Sequence, residues 1–459
     1  MSHYDRAVVD EADAIAQAVQ AQFFAIKGEG AVTLSAIAGA GKSFFVTDTV
    51  QKSRQRKLRV AVAAPTNEQV FSLVRSIAQA DPAQPVAYLP AKDVQVPEWV
   101  MLPNVQIVPT AHQASGSAIV VGTIDKLASA RNPRNASTHA LREFDALIID
   151  ESYQTNAAKY YAIAGIAPRH LCVGDSGQIL PFTTVETGRQ WRGLSEDPLQ
   201  TAVGVLHANH PKTAQFRFPI TRRLDSRGVM LAKHFYPPDH AFRAALLDGV
   251  RSMRLGKSNA VLTIDRDIDY GLDLAAKTGW AYLEQPAMQT LVAAPDTANL
   301  ITDLIGRLNY RGATLVCERY PHGTMLTQQR IAIAVSRNEQ KDMLRAMLAH
   351  RGLGKVVVNT ANKLQGLEFD FVVCWHPLAG APDVDQFHVE AGRLCVMCTR
   401  HRHACVIVGR SGDRELLEGI PPPTPAYPGD AMYPDDGLLG WETHRKVFDE
   451  LAPATVALR

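Results

Sequence analysis

Short apolar runs alternate with longer stretches of mixed apolar and polar residues along most of the chain. This is the pattern of buried parallel strands joined by amphipathic helices. Residues 33–37 form one such run, followed by a glycine turn and a helix predicted over 42–50. The next strand covers 58–64, and Pro65-Thr66-Asn67 opens a helix that runs to Ile77. A strand over 118–123 leads into a helix over 124–130, and two fully apolar strands follow, 146–149 ending in Asp150-Glu151 and 170–174 ending in Asp175. In such sheets function gathers at the carboxyl ends of the strands.

A second series of alternations predicts strands near 291–294, 313–317, 331–335, 355–358, 371–375 and 404–408. Between the two series, Pro211 and neighbouring polar residues break the pattern, so the chain divides into a first α/β domain over 1–206 and a second over 207–411. Two segments look irregular. Residues 81–118 carry Pro82, Pro85, Pro90, Pro97, Pro103 and Pro109 and are expected to form a surface insertion. Residues 412–459 are Pro-rich at 421–423, 425 and 428 and are expected to form a docked or loosely ordered tail with a short helix over 441–451.

Composition narrows the class without choosing a partner. The 459 residues are 46% hydrophobic and 20% charged, as in an ordinary enzyme, and no apolar run approaches the roughly 18 residues that span a membrane. The N-terminus leads into an acidic, alanine-rich helical segment rather than a secretion signal, so a cytoplasmic, membrane-independent and monomeric protein is expected. A net charge of +2 means that any nucleic-acid contact uses a local groove. Six cysteines lie in apolar contexts and are expected to be reduced. Cys395, Cys398, His401, His403 and Cys405 are zinc-ligand types in one short segment, but they lack the long loop between ligand pairs of structural zinc sites, and buried free thiols are the simpler expectation.

The chemistry begins at Ala36–Ser43, AIAGAGKS. Gly39, Ala40 and Gly41 form a tight turn between strand and helix, where backbone N–H groups approach a polyphosphate. Lys42 reaches the outer phosphates and the Ser43 hydroxyl ligates Mg²⁺. Ala36 stands where the phosphate-loop pattern has its first glycine. Two further lysine turns, 255–258 and 352–355, lack the preceding strand and glycine spacing. Asp150 would hold the cation through water and Glu151 would act as general base. Gln178, after the next strand, places an amide near the same edge.

The series as a whole resembles the superfamily 1 helicases. AIAGAGKS is similar to motif I, AAPTN at 63–67 to motif Ia, VGT at 121–123 to motif Ib, IIDESYQ at 148–154 to motif II, and GDSGQILP at 174–181 to motif III. PITRRLD at 219–225 resembles the segment carrying the first arginine finger. AVSRNEQ at 334–340, NTANKLQGLEFD at 359–370 and GRLCVMCTRHR at 392–402 are similar to motifs IV, V and VI. The SRNEQ and TRRL segments resemble the nonsense-mediated-decay branch, in a compact bacterial or phage form of AAA-type ATPase.

This resemblance implies two RecA-like P-loop domains, α/β with parallel sheets flanked by helices, closing on one ATP with Mg²⁺. Arg223 and Arg400 would be arginine fingers, Gly366 and Glu368 would lie at the nucleotide with Glu368 near the ribose, and Gln17 or Gln20 would contact adenine. Pro65, Thr66, Asn67, Thr123, Arg337 and Thr360 would follow the backbone of a single strand, with DNA slightly favoured over RNA. The implied activity is a helicase or translocase moving 5′ to 3′. The alternatives weighed are an ATP-switched regulator of a protein partner and a small-molecule kinase, the latter leaving the second sheet and its arginines unexplained.

Overall fold

The computed structural model describes residues 3–131, 141, 143–179, 181, 200–290, 292–419 and 436–458. It divides into two compact units. The first comprises Asp10–Ser176 and Leu180–Pro219, and the second Met1–Val9, Gly177–Ile179 and Ile220–Arg459.

The first unit is built on an eight-stranded sheet. Its strands are β1 (Gly30–Ser35), β2 (Val60–Ala64), β3 (Val86–Leu89), β4 (Val105–Ile107), β5 (Ile119–Thr123), β6 (Ala146–Ile149), β7 (Arg169–Gly174) and β8 (Ala214–Arg217). Their order is β4-β3-β5-β2-β6-β7-β1-β8, and every neighbouring pair is parallel. The central strands β2, β5 and β6 are buried at every residue, which explains why they read as continuous apolar runs. Because β6, β7 and β1 are neighbours, the segments that follow them, 150–151, 175 and 36–43, emerge at one edge of the sheet.

The Pro-rich stretch is more regular than expected. Rather than a surface insertion, residues 81–118 supply β3 and β4, which extend the same sheet. The prolines flank strands instead of interrupting them. Pro85 and Pro90 bracket β3, whose four residues are all buried, so no ladder N–H is lost.

In the second unit, β9 (Ile220–Thr221) and β10 (Arg243–Ala244) form a small parallel pair. The remaining strands are β11 (Ser252–Leu255), β12 (Trp280–Gln285), β13 (Ala313–Cys317), β14 (Tyr320–Met325), β15 (Ile331–Val335), β16 (Val357–Thr360), β17 (Phe369–Trp375), β18 (His401–Arg410) and β19 (Thr455–Ala457). A six-stranded parallel sheet has the order β16-β15-β17-β18-β12-β19. Both units are therefore α/β folds built on parallel sheets flanked by helices.

Two expectations for this unit need correction. Residues 292–294 are not a strand but the approach to the helix Pro295–Arg311, and residue 291 lies outside the described residues. The strand is β12, entered through Gly279, whose φ of 87° ends the helix Thr263–Thr278. Residues 313–317 leave the parallel series and pair antiparallel with β11 and β14, and their alternating burial reflects a sheet face open to solvent. The C-terminal segment is part of the second unit: β19 pairs with β12, and the helix Asp436–Leu451 buries Val447 completely. The proline run at 421–428 lies outside the described residues. Among the described residues no helix is long and apolar enough to cross a membrane.

Candidate nucleotide site

The phosphate loop has the backbone that its glycines allow. Gly39 and Gly41 adopt φ of 77° and 97°, a left-handed conformation that side-chain-bearing residues avoid. Ala36 needs no such freedom: its N–H donates to the Gly174 carbonyl at 2.8 Å as an extension of β1, and its methyl is fully buried. Gly41 caps the helix Lys42–Gln55 without a side-chain bond, and the helix start turns its N–H groups and the positive end of its dipole toward the loop. Ser43 is exposed on that first turn.

Lys42 brings the strand ends together. Its Nζ lies 3.5 Å from Glu151 Oε1 and 3.5 Å from Asp175 Oδ2. Asp175 was not among the expected site residues, although its place at the end of β7, next to β1, was the available signal. Asp150 and Glu151 are both buried, and the Glu151 N–H donates to Asp150 Oδ1 at 3.0 Å. Glu151 has a φ of 54°, a left-handed conformation rare outside glycine and typical of functional sites. Burial, reinforced by the Glu151 carboxylate and opposed by Lys42, pushes Asp150 up to about 7.

An anionic polyphosphate with a divalent cation fits this donor set: the N–H groups of a helix start, one ammonium and one hydroxyl beside two carboxylates of which one resists ionising alone. The raised Asp150 value has a consequence for stability. As the pH rises from about 4 to about 7 the unfolded chain ionises this carboxyl while the fold keeps it protonated, so stability falls across that window. Asp150→Asn is expected to melt several degrees above the parent at pH 8 and to match it near pH 4, as thermal denaturation in chelator would show. Glu151→Gln is expected to retain nucleotide binding while turnover falls about 10²–10⁴-fold, measured by phosphate release.

The two glutamines part company. Gln20 is buried and its amide is engaged within the fold, donating to Asp48 Oδ2 at 2.7 Å and Thr49 Oγ1 at 3.0 Å and accepting from Lys52 Nζ at 2.8 Å. Gln17 is exposed. Thr66 and Thr123 end the neighbouring strands β2 and β5, in register as Ala64 with Thr123. Both hydroxyls cap helices, accepting from Gln69 N at 3.4 Å and Lys126 N at 3.2 Å. Pro65 is half-buried before them, and the buried Asn67 Oδ1 has no hydrogen-bond partner among the described residues.

In the second unit Arg223 and Arg400 are both buried. Burial, then the nearby Arg400 charge, lower Arg223 to about 10 against the pull of Glu368. Arg400 donates from Nη2 to Thr399 Oγ1 at 3.4 Å, but its buried Nε has no partner among the described residues. Two guanidiniums close enough to repel each other, one short of a hydrogen bond, make a receptor for an anion. Glu368 faces Arg223 at 3.4 Å, Arg319 at 3.0 Å and Arg402 at 3.6 Å. Burial alone would raise the Glu368 carboxyl, but these cations hold it below the usual range. Gln178 falls in this unit, accepting from Gln365 Nε2 at 2.8 Å, and Gly366 follows with φ of 80°. Arg337 and Thr360 stand at the ends of β15 and β16, where Val335 pairs with Thr360.

The cysteines are all buried and free, with Cys398 Sγ 3.8 Å from Cys374 Sγ. Among the described residues no group of three or more His, Cys, Asp or Glu is arranged to hold a metal ion.

Two family models described as AAA domain match the chain, one over residues 13–207 and the other over 284–412. No curated protein matches it. Among solved structures it is similar to the PRRSV helicase, with 11% identity, TM-score 0.39, and 86% of this chain and 54% of that one covered. It is also similar to the Arterivirus nonstructural protein 10 helicase in complex with DNA, with 12% identity, TM-score 0.39, and coverage of 86% and 62%. A third is the ATP-dependent Type ISP restriction-modification enzyme LlaBIII bound to DNA, with 11% identity, TM-score 0.44, and coverage of 96% and 29%. The chain thus spans only 54% and 62% of the two viral helicases, and at these TM-scores the likenesses carry no weight for what it does. The two AAA domains imply an ATP hydrolase. The match over 13–207 covers most of the first unit, and the match over 284–412 lies in the second.

Proposed function

We propose that this protein is a nucleic-acid-stimulated ATPase that translocates 5′ to 3′ along single strands, DNA somewhat more readily than RNA. The observation that carries the reading is Arg400, a buried guanidinium beside a second one, whose Nε has no hydrogen-bond partner among the described residues. Such a group is suited to meet charge that develops on a transferring phosphoryl group.

In this reading Lys42 and the N–H groups at the start of the helix Lys42–Gln55 bind and orient the phosphates. Ser43 and Asp150 would hold Mg²⁺, which supplies charge neutralisation when bound. Glu151 takes the proton of the attacking water, and Arg223 and Arg400 stabilise the negative charge of the transition state. Thr66, Asn67, Thr123, Arg337 and Thr360 contact sugar and phosphate without reading sequence.

Strand displacement with duplexes carrying 5′ or 3′ single-stranded tails, in DNA and in RNA, tests the proposal. Displacement of 5′-tailed substrates that requires hydrolysable ATP is expected. Displacement confined to 3′ tails overturns the polarity, and ATP-independent displacement overturns the motor reading.

A further inference from the structure

Phe387 belongs to none of the segments that carry the motif series, yet two guanidiniums lie over its ring. The Arg337 Cζ is 4.2 Å from the ring centroid and the Arg393 Cζ is 3.8 Å away. The two cations differ in charge balance. Arg393 is neutralised by Glu390, with Nη2 to Oε2 at 2.5 Å. Arg337 has no carboxylate in ion-pair range among the described residues.

That difference matters for ligand binding. A carboxylate would hold the long Arg337 side chain in place but would cancel its charge. The face of an aromatic ring orients a guanidinium through its quadrupole and leaves the positive charge available. Arg337 follows the end of β15, and Val335 pairs with Thr360 at the end of β16, so a pre-oriented cation and a hydroxyl stand at the same sheet edge. The Thr360 side chain makes no cap bond to the helix Ala361–Leu364. A phosphodiester has the charge and acceptor oxygens that this pair would bind.

We propose that Phe387 is the positioning residue for a phosphodiester contact made by Arg337, and that it thereby sets how strongly the second unit grips the backbone of a single strand. This rests on the reading that the chain tracks single-stranded nucleic acid. The Phe387 contribution is independent of base sequence, because ring and guanidinium meet only the backbone.

The test is fluorescence anisotropy of a labelled oligo-dT strand with the full chain over a series of salt concentrations. Arg337→Ala is expected to weaken binding and to reduce the slope of log affinity against log salt by about 0.7, the share of one single-strand phosphate. Phe387→Ala and Phe387→Leu are expected to weaken binding roughly three- to tenfold, whereas Phe387→Tyr, which keeps the ring face, restores it. Leucine keeps apolar bulk without the quadrupole, and melting temperatures confirm folding. The Arg337→Ala/Phe387→Ala double variant should bind no more weakly than Arg337→Ala alone. If Phe387→Leu binds like the parent while Arg337→Ala is impaired, or if the two losses add, the positioning role is overturned and the single-strand reading stands. If the parent itself does not bind oligo-dT or oligo-U, that reading fails and the inference falls with it.

Discussion

Replacing Arg400 with alanine is expected to reduce ATP turnover by about 10³-fold or more while leaving nucleotide affinity within about threefold of the parent. The reasoning starts from burial. An arginine is seldom enclosed without a carboxylate, yet Arg400 is 1% exposed, has a like-charged neighbour in Arg223, and keeps an Nε without a partner among the described residues. A guanidinium so placed suits a group that acts when negative charge builds up on a reacting phosphoryl oxygen. An interaction made mainly in the transition state lowers turnover without raising KM. Arg400→Lys keeps a positive charge but loses the planar fork, and it should restore little of the activity. Phosphate release and binding of a fluorescent nucleotide, measured on the same samples, separate these effects.

Lys42→Ala should lose both binding and turnover. Lys42 is the cation that Glu151 and Asp175 share in the nucleotide-free fold, each at 3.5 Å. Removing it takes away the ammonium that meets the phosphates and leaves two buried carboxylates closer to net repulsion. Turnover is expected to fall to background and nucleotide affinity by at least about tenfold, because ground-state and transition-state charge are both unmet. The same variant should melt below the parent in the absence of nucleotide. Adding ATP with Mg²⁺ should raise the melting temperature of the parent but not that of Lys42→Ala, which distinguishes lost binding from a general loss of fold.

The sheets were legible where burial was complete. β6 and β15 were read at their true bounds, because strands covered on both faces must be apolar throughout. Legibility failed where tertiary context overrode composition. Prolines at 85 and 90 looked like disruption and instead mark the ends of β3, while β12 hid behind its Tyr282, Glu284 and Gln285. The antiparallel placement of 313–317 is a pairing choice that one strand's residues do not encode.

Within the site, loop and strand-end residues could be placed from spacing alone, since glycine turns and carboxylates at strand ends have local signatures. Partners brought in by strand order could not. Asp175 reaches Lys42 only because β7 lies beside β1, and the engagement of Gln20 with Asp48 and Lys52 depends on how two helices pack. Glu368 shows the same limit, its carboxylate drawn to three arginines from separate segments.

The central claim is that ATP hydrolysis is coupled to a single strand. Steady-state ATPase rates of the intact chain, measured with and without single-stranded DNA and single-stranded RNA at several salt concentrations, test it most directly. The account predicts strong stimulation by at least one polymer, falling steeply as salt rises because backbone phosphates supply the contacts. A rate unchanged by either polymer at low salt would contradict it.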